Sequence, residues 1–237
     1  MNAPRLHVDQ RLAVGTILTV AEERAHYLRN VLRLREGAEL RLFNAVDGEF
    51  LARITAAERH RIHVELVTRL REPVSEPGPV LVFAPIRRNR LDWLIEKAVE
   101  LGAARLSPVL TEHTVVRPEG ADRLATIAME AAEQCGRLTV PVVDRPVPLA
   151  TWLASRDRAQ PLVFADERAQ AGSPLAACLG RPTVDLLVGP EGGFTEAERA
   201  QVLQVAGVAS ISLGPLILRA ETAALMALAA CRLAQEA

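Results

Sequence analysis

What this chain of 237 residues lacks narrows its reading first. Lysine is nearly missing: Lys97 is the only one, so arginine carries almost all of the positive charge. Arginine suits bidentate phosphate contacts, but a coding bias, matched by the high alanine content, explains the same count. The formal net charge is −1, so no global basic field announces nucleic acid. The three cysteines, Cys135, Cys178 and Cys231, are odd in number and far apart, and no CxxC occurs. Neither a zinc site nor a disulfide framework is indicated, no metal is expected, and reduced thiols in helical or core positions fit the cytosol. The N-terminus has no apolar h-region of the signal-peptide kind. No apolar run approaches the roughly 18 residues of a membrane span. The expectation is a soluble, cytoplasmic protein with no membrane partner.

The charge is mildly uneven. Residues 1–72 carry twelve arginines against ten acidic residues and four of the five histidines, while the remainder is net acidic. The same segment reads as mostly β, with extended runs at 6–8, 16–20, 39–44, 49–55 and 61–69. A helix is predicted over 21–33, with Ala25, Leu28, Val31 and Leu32 at helical spacing. Asp47-Gly48 has hairpin-turn chemistry, and 61–67 alternates with period two. A small antiparallel barrel or sandwich fits.

The texture changes at Glu72-Pro73-Val74-Ser75-Glu76-Pro77-Gly78-Pro79, a linker that divides the chain into domains at 1–72 and 73–237. Beyond it strands alternate with helices. Strands are predicted at 80–85, 105–110, 140–143 and 162–165. A helix at 90–101 buries Leu91, Leu94, Ile95, Ala98 and Val99 and stops at Gly102. Another at 121–135 buries Leu124, Ile127, Ala128 and Ala131. This alternation argues an α/β domain with a largely parallel sheet.

Two corners near the C-terminal end carry the chemistry. Leu186-Leu187-Val188 and Ile211-Ser212-Leu213 each stop at a Gly-Pro pair, at 189–190 and 214–215, and each is followed by a helix. Strand, glycine-rich turn and helix, twice within forty residues, build a pocket at the carboxyl ends of parallel strands. The first turn matches neither GxGxxG nor a phosphate loop. Its glycines let backbone approach a flat ligand, although an ordinary turn with a surface glutamate reads equally well. Thr195 and Glu198 form a capping box that starts a helix at 195. In the second corner, Glu221 favours the positive end of a helix and Thr222 can cap it. Arg219 is misplaced at a helix N-terminus, so it is held by a ligand oxygen or by an ion pair with Glu191 or Glu221.

Taken together, LLVGPEGGFTEAE (186–198) and LGPLILRAETAAL (213–225) resemble the C-terminal signature of the ribosomal RNA small subunit methyltransferase E family, of the SPOUT class. RLDWLIEKAVELG (90–102), EHTVVR (112–117), EQCGR (133–137) and HYLRNVLRL (26–34) are similar to further family segments. The resemblance implies a SPOUT domain with a deep trefoil knot, a small N-terminal PUA-like β-barrel and a homodimer. It implies transfer of a methyl group from S-adenosylmethionine to N3 of one uridine in small-subunit (16S) ribosomal RNA, free or in the assembled subunit. Carried over by motif, Leu187, Gly189, Glu191, Gly192 and Gly193 line one side of the cofactor, and Leu213, Gly214, Ile217, Leu218 and Thr222 the other. Phe164 and Ala165 reach toward its adenine. The family usually has arginine where this chain has Leu216, so a guanidinium contact there is absent or supplied from elsewhere.

The expected catalytic groups are Arg219, which stabilises charge on the uracil oxygens, Glu191, which orients the base or accepts its proton, and Glu221, which with Thr222 fixes that geometry. His26, Arg29, Asn30 and Arg33 share one predicted helix face, and Arg33, Arg35 and Arg41 add candidate phosphate contacts. A solvated helix face is the plainer reading. Two other classes stay open. A nucleotide-binding oxidoreductase is disfavoured by the missing GxGxxG. The other is a non-catalytic RNA-binding or ribosome-assembly protein that retains the fold.

Overall fold

In the first seventy residues, side chains alternate between a core and solvent, and the chain forms one sheet. Residues 3–116, 120–169 and 173–236 are described by the computed structural model of the chain. Strands β1 (Arg5–His7), β2 (Ile17–Ala21), β3 (Glu39–Asn44), β4 (Gly48–Ala57) and β5 (Arg61–Arg71) are ordered β1-β3-β4-β5-β2. Every pair is antiparallel except β1 with β3. Along β5, Ile62, Val64 and Leu66 are buried while Arg61, Glu65 and Val67 face out. They share a core with Leu6, Leu28, Leu40, Leu42, Phe50 and Ile54. The β3–β4 connection is locked by Asn44, whose Oδ1 accepts the N–H groups of Val46 and Asp47 at 3.0 and 2.6 Å.

The helix predicted over 21–33 is shorter. Helix α1 spans Glu22–His26 and passes into a π-turn, Tyr27–Val31, closed by the Leu32 N–H on the Tyr27 carbonyl at 3.0 Å. The wider turn slips the helical phase. Ala25 and Leu28 are therefore buried as predicted, but Val31 is 60% exposed. Arg33, at φ 57°, has already left the helix and does not continue its face.

The second unit alternates strand and helix: β6 (Val80–Phe83), α2 (Arg88–Glu100), β7 (Arg105–Leu110), α3 (Ala121–Cys135), β8 (Val142–Val143), β9 (Val147–Pro148), α4 (Leu149–Ser155), β10 (Leu162–Ala165), α5 (Pro174–Cys178), β11 (Asp185–Val188), α6 (Glu196–Leu203), β12 (Ala209–Ile211) and α7 (Ala220–Glu236). Its strands run β12-β10-β11-β6-β7-β8, with β9 beside β7, and every pair is parallel. The strands β6 and β10 are wholly apolar and β11 nearly so, as expected of strands buried on both faces. All of β11 is buried, including Asp185.

Helix α2 buries Leu91, Leu94, Ile95, Ala98 and Val99, the five expected, and ends where Gly102 takes φ 87°. In α3, Ala132 is buried where Ile127 was expected, and Ile127 is half-exposed. Contacts divide the chain into two units: residues up to Ser75 together with Glu133–Thr139, and the rest. The segment similar to the family's EQCGR element thus groups with the first unit.

The cysteines depart from expectation. Cys178 and Cys231 form a disulfide between α5 and α7, and Cys135 alone is a free thiol. Their separation of 53 residues hides in sequence that the two helices pack together. Among the described residues no helix is long and apolar enough to cross a membrane.

Candidate active site

Three neighbouring parallel strands end level with one another. Ala165 at the end of β10 pairs with Val188 of β11 on one side and Ile211 of β12 on the other. Each strand then enters a loop, and the loops enclose a cleft of about 350 Å³. Its walls are residues 165–167, 188–193 and 212–218, with Ala220 and Ala223 of α7. That volume lies within the range of small-molecule sites, and the crevice outside the carboxyl ends of strands is where open α/β sheets bind ligands.

The first loop leaves β11 through Gly189-Pro190 and enters α6 at the predicted capping box. The Thr195 hydroxyl accepts the Glu198 N–H at 3.2 Å, and the Glu198 carboxylate accepts the Thr195 N–H at 2.9 Å. Glu198 also accepts the N–H of Glu112 at 2.8 Å, which ties the segment after β7 to this corner. The glycines serve protein packing. A Cβ at Gly189 would stand 2.5 Å from the Phe194 ring, and one at Gly192 would stand 3.1 Å from the His113 Cβ. Close approach is required, as expected, but in these two cases the approaching group is a neighbouring side chain. Gly214, in contrast, has nothing within 4 Å of its Cβ position, so the second loop leaves open space beside it.

Ala165, Gly189, Glu191, Gly192, Gly193, Leu213, Gly214, Ile217 and Leu218 all line the cleft. Phe164, Leu187 and Thr222 do not. Phe164 and Leu187 are fully buried in the core beneath the cleft, where Phe164 meets Phe194 edge-to-face at 5.3 Å between ring centres. The period of a strand explains this: Ala165 and Val188 reach the cleft, and the residues before them serve the packed layer. Thr222 is exposed and lies within the first turn of α7, which begins at Ala220, so it does not cap that helix. Leu216, in the family's arginine position, lines the cleft and is 75% exposed.

The ion pair expected for Arg219 belongs to another arginine. Arg90 on α2 donates to Glu191 at 2.7 Å and stands 3.6 Å from Glu221. Arg219 is exposed, and its side chain has no hydrogen bond or ion pair among the described residues. Glu221 is buried, and its Oε2 has no hydrogen-bond partner among them. A buried acceptor left in this state is one that a bound donor would satisfy. Arg90 was visible in the sequence only as a member of RLDWLIEKAVELG.

Asp166, also unanticipated, lines the cleft directly after β10. Burial pushes its carboxyl up, but hydrogen bonds from Arg199, the Arg168 N–H and Ser210 outweigh burial and hold it below the usual aspartate range. Among the described residues no group of three or more His, Cys, Asp or Glu is placed to hold a metal ion.

In the first unit, His26, Asn30, Arg33 and Arg35 are exposed and Arg29 is half-exposed. Arg41 faces inward to Glu49, a buried carboxylate that it shares with Arg5 and Arg71. Its guanidinium therefore neutralises an internal charge, which distinguishes it from the other candidate phosphate contacts. Arg117, the last residue of the EHTVVR segment, lies outside the described residues.

A parallel α/β unit with a cleft at its strand ends, joined to a small β unit, defines a class that sequence comparison makes specific. The RNA methyltransferase domain family matches residues 76–232, and the RNA methyltransferase PUA domain matches residues 20–67. Over 98% of its length the chain is 33% identical to the ribosomal RNA small subunit methyltransferase E of Rickettsia conorii, covering 96% of that protein. The enzyme of that name from Neisseria gonorrhoeae, solved bound to S-adenosyl methionine, superposes with a TM-score of 0.84 at 30% identity, covering 97% of this chain and 96% of its own. A putative methyltransferase of Legionella pneumophila, solved with the cofactor SAM, gives a TM-score of 0.88 at 28% identity, covering 99% and 98%. The chain belongs to the ribosomal RNA small subunit methyltransferase E family.

Proposed function

We propose that this protein transfers a methyl group from S-adenosylmethionine to N3 of one uridine in small-subunit ribosomal RNA. The observation that carries the reading is the cleft at the ends of β10, β11 and β12, with carboxylates and arginines gathered around the loop that forms one wall. The residues present fit the cofactor. The cleft offers apolar walls at Val188, Leu213 and Leu218, open space at Gly214, and an unsatisfied acceptor in Glu221 nearby. Gly189, Glu191, Gly192, Gly193, Leu213, Gly214, Ile217, Leu218 and Ala165 would hold it. When bound, S-adenosylmethionine supplies an electrophilic sulfonium methyl.

The chain's own task is position and charge. Uracil N3 must lose its proton before or as it attacks in line. Arg219, with no carboxylate partner among the described residues, stabilises the negative charge that spreads to the uracil oxygens. Glu191, fixed by Arg90, orients the base or accepts its proton. Glu221 fixes Arg90 from the other side. Exposed His26, Asn30, Arg33 and Arg35, with Arg29, offer a surface for RNA. The same reading includes the family's deep trefoil knot within the segment 185–222. It includes a homodimer, supported by the outward-facing apolar Trp93, Met226 and Leu233. A ribosomal substrate supports a cytoplasmic location.

The test is incorporation of labelled methyl into small subunits that lack the modification. Wild-type protein should label them. Arg219→Ala should lose about 10²–10³-fold in rate, the usual effect of removing one charge-stabilising donor, with cofactor affinity nearly intact. Full activity in that variant overturns the role of Arg219. No incorporation by wild-type protein that still binds RNA favours a non-catalytic assembly role.

A further inference from the structure

The walls of the cofactor cleft converge on one carboxylate that the protein itself engages. Asp166 follows β10 directly and is 2% exposed. Its Oδ2 accepts the Arg199 Nε–H and Nη2–H at 3.0 and 2.8 Å and the Ser210 hydroxyl at 3.3 Å. Its Oδ1 accepts the Arg168 N–H at 3.1 Å, and its own N–H donates to the Ile211 carbonyl at 3.1 Å. An ionised carboxylate has about four lone-pair sites, and Asp166 accepts four hydrogen bonds from the protein. The residue lines the cleft, but its accepting capacity is spent on the walls.

Each partner belongs to a different wall. Arg199 lies on α6, the helix into which the loop after β11 runs, and its N–H donates to the Thr195 carbonyl at 2.9 Å. Ser210 and Ile211 lie on β12, immediately before the wall at 212–218. Arg168 follows the wall at 165–167 and is fastened to α6 a second time, through an ion pair with Glu196. Positions 196 and 199 share a helix face, so α6 presents one edge to this loop. The loops also touch: a Cβ at Gly193 would stand 3.0 Å from Glu167 Oε1.

We propose that Asp166 is a positioning residue for S-adenosylmethionine, setting the spacing of the cleft walls through Arg199, Ser210 and the Arg168 N–H. The inference rests on the cofactor reading of the cleft and adds the group on which its shape depends. Bonds to an ionised acceptor are the strong ones, and walls held in place before binding spare the ligand the cost of ordering them. Asparagine has the same size but only one accepting oxygen. In one orientation its NH2 faces the Arg199 guanidinium and the Ser210 hydroxyl. In the other it faces the Arg168 N–H. Either way one wall loses its anchor.

The experiment measures S-adenosylhomocysteine affinity of the full chain by calorimetry at pH 7, with KM and kcat for methyl transfer alongside. Asp166→Asn and Arg199→Met should each weaken binding at least ~10-fold. The double variant should be no more than ~2-fold worse than the weaker single, because both changes remove one contact. The loss should fall on KM for S-adenosylmethionine, with kcat at saturating cofactor within ~3-fold of wild type. Arg199→Lys keeps the charge without the guanidinium's paired donors; it should fold and show an intermediate loss. Ser107→Ala is the control, since that buried hydroxyl donates to Asp144 at 2.6 Å on β7, outside the cleft lining. It should lower the denaturant midpoint and leave affinity within ~2-fold. Wild-type affinity in folded Asp166→Asn or Arg199→Lys, an equal loss in Ser107→Ala, or a loss confined to kcat would overturn the proposal. Absence of binding by the wild-type protein would overturn the cofactor reading, and the proposal with it.

Discussion

Replacing Arg156 by methionine should destabilise the second unit strongly, and the reason lies at the start of β11. Arg156 and Asp185 form an ion pair at 2.8 Å with side chains only 4% and 6% exposed. The guanidinium also donates to the Gln160 carbonyl, and it lies 5.8 Å from the ring centre of Trp152. Burial pushes the Asp185 carboxyl up despite the neighbouring arginine, which only partly offsets it. Removing the cation leaves a buried carboxylate without its counter-charge, which costs about 3–5 kcal/mol. For a chain of this length that is a loss of roughly 6–20 °C in Tm, at about 2–4 °C per kcal/mol.

The sign with pH follows from the raised carboxyl. An aspartate whose folded pKa exceeds its unfolded one costs stability at neutral pH, and that cost disappears as pH falls through the folded value. The defect in Arg156→Met should therefore shrink in mild acid. Replacing both partners, as Arg156→Met with Asp185→Leu, should recover most of the loss, because an apolar pair of similar volume is often neutral or better. Denaturant unfolding followed by the fluorescence of Trp93 and Trp152 at pH 7 and pH 5 tests all three points. A single variant that loses less than about 1 kcal/mol, the range of an exposed pair, would refute the reasoning. So would a double variant as unstable as the single.

Asp166→Asn should lower stability near neutral pH by roughly 1–3 kcal/mol, the cost of disturbing a buried, charge-assisted hydrogen-bond set. Its carboxyl is held below the usual range, so the wild-type advantage is present above about pH 4 and fades as pH falls through the folded value. Acid-denaturation curves of the two proteins should therefore converge. Gly189→Ala should displace the Phe194 ring, cost about 1–3 kcal/mol by overpacking, and weaken S-adenosylmethionine binding measured by calorimetry. Thr195→Ala should cost about 1 kcal/mol by removing the α6 cap, seen as a small drop in the denaturant midpoint.

Several elements were legible because a local rule decides them. The strands at 105–110 and 162–165, the five buried residues of α2, its stop at Gly102 and the capping box at Thr195 follow from periodicity and terminal chemistry over a few residues. The cleft loops were legible for the same reason: a Gly-Pro pair interrupts a strand. The structure departs from these expectations for two reasons, a local slip of backbone phase and a neighbour distant in sequence. Val31 was expected inside, but the π-turn rotates it out. Arg41 was grouped with phosphate contacts, yet buried Glu49 claims it. Phe164 and Leu187 belong to the right strands but face the packed layer. Cys178 and Cys231, 53 residues apart, are brought together by the packing of α5 on α7.

The sequence by itself determined the change from β texture to alternating strands and helices, the position of the two corners, and, through their motifs, the family. Those are properties of short windows and of residue types, which hydrophobic period and turn chemistry read directly. Tertiary structure alone decided which charges meet. Arg90, 101 residues from Glu191, takes the place that Arg219 was offered as a partner, and among the described residues Arg219 has no ion pair. It also brought the segment after β7 against Gly192. Neither arrangement has a local signature, because each arises when parallel strands far apart in the chain end side by side.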